Sequence, residues 1–287
     1  MLGMSNISLI IPTFERAQSL TELFESVAVQ TVKPIEIIVV DDTPTTEIEG
    51  LCEEWRHHFS KLEIKLRYFR NPYDRSAAIA RNVGAQRAKG YIFIYLDSDV
   101  ILYPKYFEKI VEVFNKYPDA MGVQGWIVNS GKFNYLYQIF AKIFSLYHYS
   151  TNSCKLWEEP KFLTRIVPSE WLSSSSMAVK RRIYELGFRF DENLKHYSFL
   201  EDVLFSHLIY RKFSGGLYIT PYAKCVHNLS QEGRDYDEGH LNSCRKYVLT
   251  KLFGKKGLIL YYWQTYGILL LKKIESLFKH AHHIPIS

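Results

Sequence analysis

Cysteine is scarce and scattered in this sequence. Cys52, Cys154, Cys225 and Cys244 stand far apart, and no two form a Cys-x-x-Cys pair. That spacing argues against a disulfide framework or a zinc site and predicts reduced thiols in a cytosolic compartment. Glycine is absent from Thr13 to Ser19, just past the first apolar run. A dinucleotide-dependent oxidoreductase needs Gly-x-Gly-x-x-Gly there, so that class is disfavoured. A basic leader is also missing, and the apolar run Ser8 to Ile11 is too short for a secretory signal. No apolar run reaches the roughly 20 residues that a membrane span requires. There is no internal repeat and no low-complexity stretch.

What the chain has in quantity is aromatic side chains, 21 Tyr and 18 Phe in 287 residues. Such numbers suit grooves, amphipathic surfaces or a large core. Its charge is unevenly placed. From His240 onward there are eight Lys and Arg against the single acid Glu275, a net charge of +7, while the preceding residues sum to −1. Any argument for an acidic partner therefore belongs to the C-terminal tail.

Apolar runs of strand length alternate with helical patterns over the first hundred residues. Strands are predicted at Ile7–Ile11, Ile35–Val40, Ile64–Phe69 and Tyr91–Leu96. Helices are predicted at Ser19–Gln30, Ile48–Phe59 and Ser76–Ala88. This alternation implies an α/β fold with a mostly parallel sheet flanked by helices. Pro12-Thr13, Asp41-Asp42 and Asp97 each follow a strand, at the sheet edge where ligands bind in such folds. Further on, a helix is expected at Tyr106–Tyr117 and a strand at Met121–Asn129. The aromatic-rich Phe133–Tyr149 reads as a helix and Thr151–Pro168 as a loop. Ser169–Val179 reads as strand or loop, Arg181–Leu186 as a helix stopped by Gly187, Glu201–Phe213 as a helix and Gly216–Val226 as a strand.

Asp97-Ser98-Asp99 places two carboxylates two residues apart at a strand end, where both can approach one hard cation such as Mg2+ or Mn2+. The triplet alone is a weak signal. A second Asp-x-Asp, Asp235 and Asp237, has no strand before it and reads as a solvated acidic turn.

Four segments in order resemble the signature of family 2 glycosyltransferases: Ile10 to Arg16 (IIPTFER), Val39 to Asp42, Ala80 to Gly84, and Leu96 to Asp99. Ser176 to Arg181, Phe188 to Glu192 and Glu201-Asp202 continue it. The resemblance runs from about residue 7 to 230. It implies a GT-A fold, a nucleoside-diphosphate sugar donor (UDP first, with GDP and dTDP open), a divalent cation and inversion at the anomeric carbon. By position, Pro12, Thr13, Phe14 and Glu15 would line the nucleoside pocket and Asp42 would bind the base. Arg81, Asp97 and Ser98 would lie near the ribose and diphosphate, with Asp99 and Asp97 on the metal. Asp202 would be the general base and Glu201 an orienting or acceptor-binding group. His227 would complete the metal site, and Trp171, Ser173 and Ser174 would line the acceptor pocket. The residues of 1–105 would form the donor half, those of 106–230 the acceptor half, and those of 231–287 a helical tail.

Plainer readings stand beside these. Pro12 can simply end a strand, and Asp41 can cap the following turn. Arg81 can pair with a neighbouring carboxylate, and acids in a first helical turn answer the helix dipole. His227 can be structural and Trp171 a core residue. The sequence also departs from the family pattern. Where a Gly-rich turn is usual before the Ala-rich helix, it has Asn71 to Ser76 (NPYDRS), which leaves Arg75 to contribute positive charge. No Gln-x-x-Arg-Trp follows Asp202, so a processive polymer synthase is not expected.

In the tail, Leu258–Leu271 is strongly apolar between Lys255-Lys256 and Lys272-Lys273. It reads as an interfacial helix on an anionic membrane surface, using residues 255–280, or as a helix packed on the domain or in a homodimer. Nucleic-acid binding is not expected. The sequence thus predicts a cytosolic glycosyltransferase acting on a glycan or lipid-linked acceptor, at the cytoplasmic face of a membrane where the tail serves as an interfacial helix. A sugar-nucleotide nucleotidyltransferase and a catalytically silent scaffold are the alternatives.

Overall fold

A computed structural model describes residues 6–129, 143–144, 164–228 and 237–281. Apart from 143–144 and 164–168, the segments expected as a helix at 133–149 and a loop at 151–168 lie outside the described residues, as do Cys154 and Asp235. Strand β1 is Ile7–Thr13, and all seven residues are buried. Such a run needs cover on both faces and partners on both edges. It pairs in parallel with β2 (Glu36–Asp41) on one side and β4 (Ile92–Tyr95) on the other. Beyond β2 lies β3 (Lys65–Arg70), also parallel. Helices α1 (Ala17–Ala28), α2 (Glu47–Lys61) and α3 (Ala77–Arg87) connect them. One boundary needs correction. Pro12 and Thr13 are not loop residues but the last two of β1, because β2 continues to Asp41 and Thr13 pairs opposite it.

Side chains of β1 alternate between two cores, as strand geometry requires. Leu9 and Ile11 join Leu23, Phe24 and Phe59 on one face, with Phe107 of α4 (Tyr106–Lys116). Ile10 joins Val40, Phe93, Ala80 and Val83 on the other. Helix α3 is buried almost all round, and its small residues permit a close approach. A Cβ built on Gly84 would stand 2.4 Å from Ile10 Cγ2.

The sheet continues past β4 with β8 (Met177–Lys180), β6 (Gly122–Ile127), β9 (Leu217–His227) and β5 (Val100–Leu102). Here β4–β8, β8–β6 and β9–β5 are antiparallel and β6–β9 parallel. The short β7 (Val167–Pro168) pairs with β9. Within the expected strand or loop at Ser169–Val179, pairing begins only at Met177, after a 3-10 turn at Ser174–Ser176. Helix α5 (Arg181–Glu185) stops at Gly187, whose φ of +87° favours glycine. Helix α6 (Glu201–Phe213) follows. Helices α7 (Glu238–Phe253) and α8 (Lys255–Ala281) form the C-terminal appendage. Asp237 caps α7 by accepting a hydrogen bond from the His240 amide, which accounts for half of the second Asp-x-Asp. Val248, Leu249 and Leu252 of α7 pack with Val203 and Leu204 of α6. Among the described residues no helix is long and apolar enough to cross a membrane. Cys52, Cys225 and Cys244 are buried and free.

Candidate active site

The chain leaves β1 for β2 on one side and returns to β4 on the other. This switch of direction opens a crevice at the carboxyl edge of a parallel sheet. A cavity of about 380 Å³ lies there, walled by Thr13, Asp42, Arg81, Asp97, Asp202 and His227 among others. Pockets for small ligands fall in the range of about 300–1,000 Å³.

Asp97 and Asp99 follow β4 directly, and Asp99 precedes β5. The antiparallel pairing of β5 with β9 sets Val100 opposite His227, so the sheet itself delivers the imidazole to the aspartates. His227 Nε2 is 3.0 Å from Asp99 Oδ1 and 3.8 Å from Asp97 Oδ2. One ligand atom from each of the three residues lies within 4.8 Å of the others. Asn129 clamps the backbone of His227 with two hydrogen bonds of 2.9 Å, donating to its carbonyl and accepting from its amide. Arg16 Nη1 donates to Asp99 Oδ2 at 3.1 Å, and Ser175 Oγ to Asp97 Oδ2 at 2.9 Å. Two carboxylates and an imidazole form a donor set that fits a divalent cation, with the nitrogen favouring Mn2+ over Mg2+.

Arg81, 3% exposed on α3, joins the two sides of the crevice. Its Nη2 donates to Asp97 Oδ1 and its Nη1 to Glu201 Oε1, both at 2.7 Å. Burial pushes the Asp97 carboxyl up, but Arg81, His227, Ser175 and Arg16 outweigh it and hold the pKa below its ordinary value. The same guanidinium cannot offset every acid nearby. Glu201 is pushed up to about 8, chiefly by burial and then by Asp202 and Asp97, against the pull of Arg81. Burial also raises Asp202. Its Oδ2 accepts from the Ser174 amide at 3.1 Å and its Oδ1 from the Val203 amide at 2.7 Å. Leu200 turns the chain into α6 with φ +67°, a left-handed conformation that is costly for a leucine. That turn sets Glu201 and Asp202 in the cavity wall.

At the opposite end, Asp41 holds the turn after β2 by accepting from the Thr43 amide at 2.7 Å and from Tyr68 Oη at 2.9 Å. Asp42 faces the cavity, and burial raises its pKa to about 6 against the hydrogen bonds of Asn71 and the Ser76 backbone. Thr13 Oγ1 is buried with no hydrogen-bond partner among the described residues. A polar atom left so is costly unless a ligand meets it. Arg75 lies over the Phe14 ring at 3.5 Å from its centroid, and its charge bears on Asp42.

Of the residues assigned to donor and acceptor, Pro12, Thr13, Phe14, Asp42, Arg75, Arg81, Asp97, Ser98, Trp171, Ser173, Ser174 and Glu201 all line this cavity. Glu15 does not. Its backbone turns at φ +53° and leaves the side chain exposed, so Arg16 faces the cavity in its place. Asp99 lies just behind the wall, 2% exposed. Sequence reasoning gave no role to Arg16, Ser175, Asn129 or the wall segment His196 to Leu200. Arg16 sits inside a quoted motif and Ser175 inside the serine run, so each carried a local signal. The wall segment carried none.

The chain matches the family described as Glycosyl transferase family 2 over residues 8–167. An uncharacterized glycosyltransferase of Haemophilus influenzae is 33% identical over 113 residues, 39% of this chain and 36% of that protein. The glucosyl-dolichyl phosphate glucuronosyltransferase of Haloferax volcanii is 27% identical over 124 residues, 42% of this chain and 38% of that protein. The matches thus span well under half of these relatives. In fold, the chain is similar to GalNAc-T7 solved with UDP, GalNAc and Mn2+, with a TM-score of 0.64 at 18% identity, covering 88% of this chain and 49% of that one. It is also similar to S. aureus TarS 1-349 in complex with UDP-GlcNAc, with a TM-score of 0.57 at 16% identity, covering 86% and 66%. With its GT-A architecture and a family match over more than half its length, the chain belongs to glycosyl transferase family 2.

Proposed function

We propose that this chain is an inverting glycosyltransferase that moves a sugar from a nucleoside-diphosphate sugar, UDP-linked first, to a hydroxyl of a glycan or lipid-linked acceptor. One observation carries the reading: the Asp97–Asp99–His227 cluster and Asp202 meet at one crevice, bridged by Arg81, which bonds Asp97 on one side and Glu201, the neighbour of Asp202, on the other. Two proteins of like fold, solved with UDP or UDP-GlcNAc, support the choice of donor.

In this reading Asp42 and Thr13 hold the nucleoside, and Arg75, stacked on Phe14, adds positive charge near it. Arg81 keeps Asp97 ionised and oriented. Asp97, Asp99 and His227 would hold a divalent cation, whose positive charge would stabilise the departing diphosphate. Asp202 takes the proton from the acceptor hydroxyl. The acceptor oxygen attacks the anomeric carbon from the face opposite the diphosphate. The bond from that carbon to the diphosphate oxygen breaks, and the nucleotide leaves with the electron pair. The raised pKa of Asp202 makes it a stronger base than an ordinary aspartate. Glu201, whose pKa burial raises, positions the wall through Arg81 and Ser174. Trp171, Ser173 and Ser174 receive the acceptor. Residues 255–280 hold the chain at an anionic membrane surface on the cytoplasmic side.

The test is release of nucleoside diphosphate from UDP-, GDP- and dTDP-sugars with Mn2+. One donor should be turned over, and the turnover should stop when the metal is chelated. Failure to bind any nucleotide sugar would remove the reading.

A further inference from the structure

Helix α8 exposes a row of apolar side chains while burying a polar one. Gln264 is 2% exposed, whereas Ile259 is 70% and Leu269 61% exposed. Tyr262, Trp263 and Tyr266 are about half exposed between them, with Phe144 packed beside Trp263 and Tyr266 and Trp263 Nε1 donating to the Ile143 carbonyl at 3.2 Å. These positions recur every three or four residues, so they form one stripe along the helix. Lys255 and Lys256 stand exposed at one end, Lys272 and Lys273 at the other. Lys272 also pairs with Glu238. The rotation of the helix is fixed from behind. Leu260 and Tyr261 pack on the cluster shared by α6 and α7, and a Cβ on Gly257 would stand 1.9 Å from the Leu249 carbonyl oxygen. Leu271 also turns inward at 6% exposure, so the helix is apolar on both faces, more than sealing the domain requires.

We propose that this face of α8 docks on an anionic membrane surface with the helix lying in the plane of the interface. Ile259, Tyr262, Trp263, Tyr266 and Leu269 enter the boundary between headgroups and acyl chains, where tyrosine and tryptophan are favoured. The lysines meet anionic headgroups. A second copy of the chain fits the face badly. Pairing two such helices, parallel or antiparallel, sets lysine ends against lysine ends, and like charges at an interface disfavour it. The cluster beneath α8 includes Trp171 and Leu200, which also line the cavity. A lipid surface on the outer face of α8 therefore lies one helix diameter, ~10 Å, from this cluster, and the acceptor is a membrane-held, lipid-linked molecule. This last step alone rests on the transferase reading.

Vesicle sedimentation of the full chain tests the docking, comparing phosphatidylcholine mixed with phosphatidylglycerol against phosphatidylcholine alone. The protein should sediment with the anionic vesicles and bind the neutral ones at least about tenfold more weakly. Tyr262→Ser with Leu269→Ser should cost at least about tenfold in partitioning. Lys255→Ala, Lys256→Ala and Lys273→Ala should each cost about fivefold. Equal binding to both vesicle types, no binding, or variants that sediment like the parent would overturn the docking. So would a solution dimer that Tyr262→Ser dissolves. The thermal shift caused by UDP with Mn2+ is read on the same samples. A retained shift without vesicle binding refutes the docking alone, and vesicle binding without a shift refutes the donor reading alone.

Discussion

Arg81 is one buried positive charge among the carboxyls of Asp97, Glu201 and Asp202. It cannot balance them all, and the imbalance separates their roles. Asp97 stays ionised beside the guanidinium, while the acids on α6 are pushed towards protonation. Asp202→Asn should lower kcat by about 10²- to 10⁴-fold, the range for a general base, with UDP affinity nearly intact. Calorimetry and turnover on the same sample read both, and equal losses in affinity and rate would remove Asp202 from that role. Asp42, at about 6, gives a second prediction. In the proposed reading its carboxylate accepts a hydrogen bond from the base and the protonated acid accepts more weakly, so donor binding is strongest well above pH 6 and weakens as pH falls through it. Donor KM should rise by up to about tenfold per pH unit below 6, more steeply than the KM of Asp42→Asn over the same range. Asp97, Asp99, Asp202 and His227 were legible in the sequence because the motif order named them. Arg16 and Ser175 were given no role because their parts depend on side-chain direction. Glu15 was misplaced for the same reason: a left-handed turn exposes it.

Helix α3 shows how much an element depends on one position. Its Ala and Gly residues bring Arg81 close beneath the sheet edge, and Gly84 lies against Ile10. Gly84→Val should cost about 1–3 kcal/mol by overpacking, read as a lower midpoint in denaturant unfolding. Combined with Ile10→Ala, which removes the clashing Cγ2, the loss should be less than the sum of the two single losses. An additive result would show that the close approach of α3 to β1 is not what limits this position. The first three helices and four strands lay within two residues of the sequence reading, because hydrophobic period fixes local elements. The pairing of β5 with β9 was not legible. It joins residues more than a hundred positions apart, and local periodicity carries no record of such partners. The His227 beside Asp99 could therefore be inferred from family likeness but not from spacing.

Across the whole molecule, two unlike sheet regions meet at the crevice. The parallel strands β1, β2 and β4 bring Thr13, Asp42 and Asp97. The mixed strands β8, β6, β9 and β5 bring the serine turn and His227, and α6 brings Asp202. Neither region holds the proposed cation ligands and the proposed base by itself. The general α/β architecture was readable from the alternation of elements, but the closing of the crevice by α6 and the wall at His196 to Leu200 was not, since both arise from long-range packing. The most direct test of this account is calorimetric titration of UDP into the protein with and without Mn2+, repeated on Asp99→Ala. The account predicts UDP binding that Mn2+ strengthens by more than about tenfold, and loss of that strengthening in the variant. UDP binding indifferent to Mn2+ in the parent, or equally strengthened in Asp99→Ala, would contradict it.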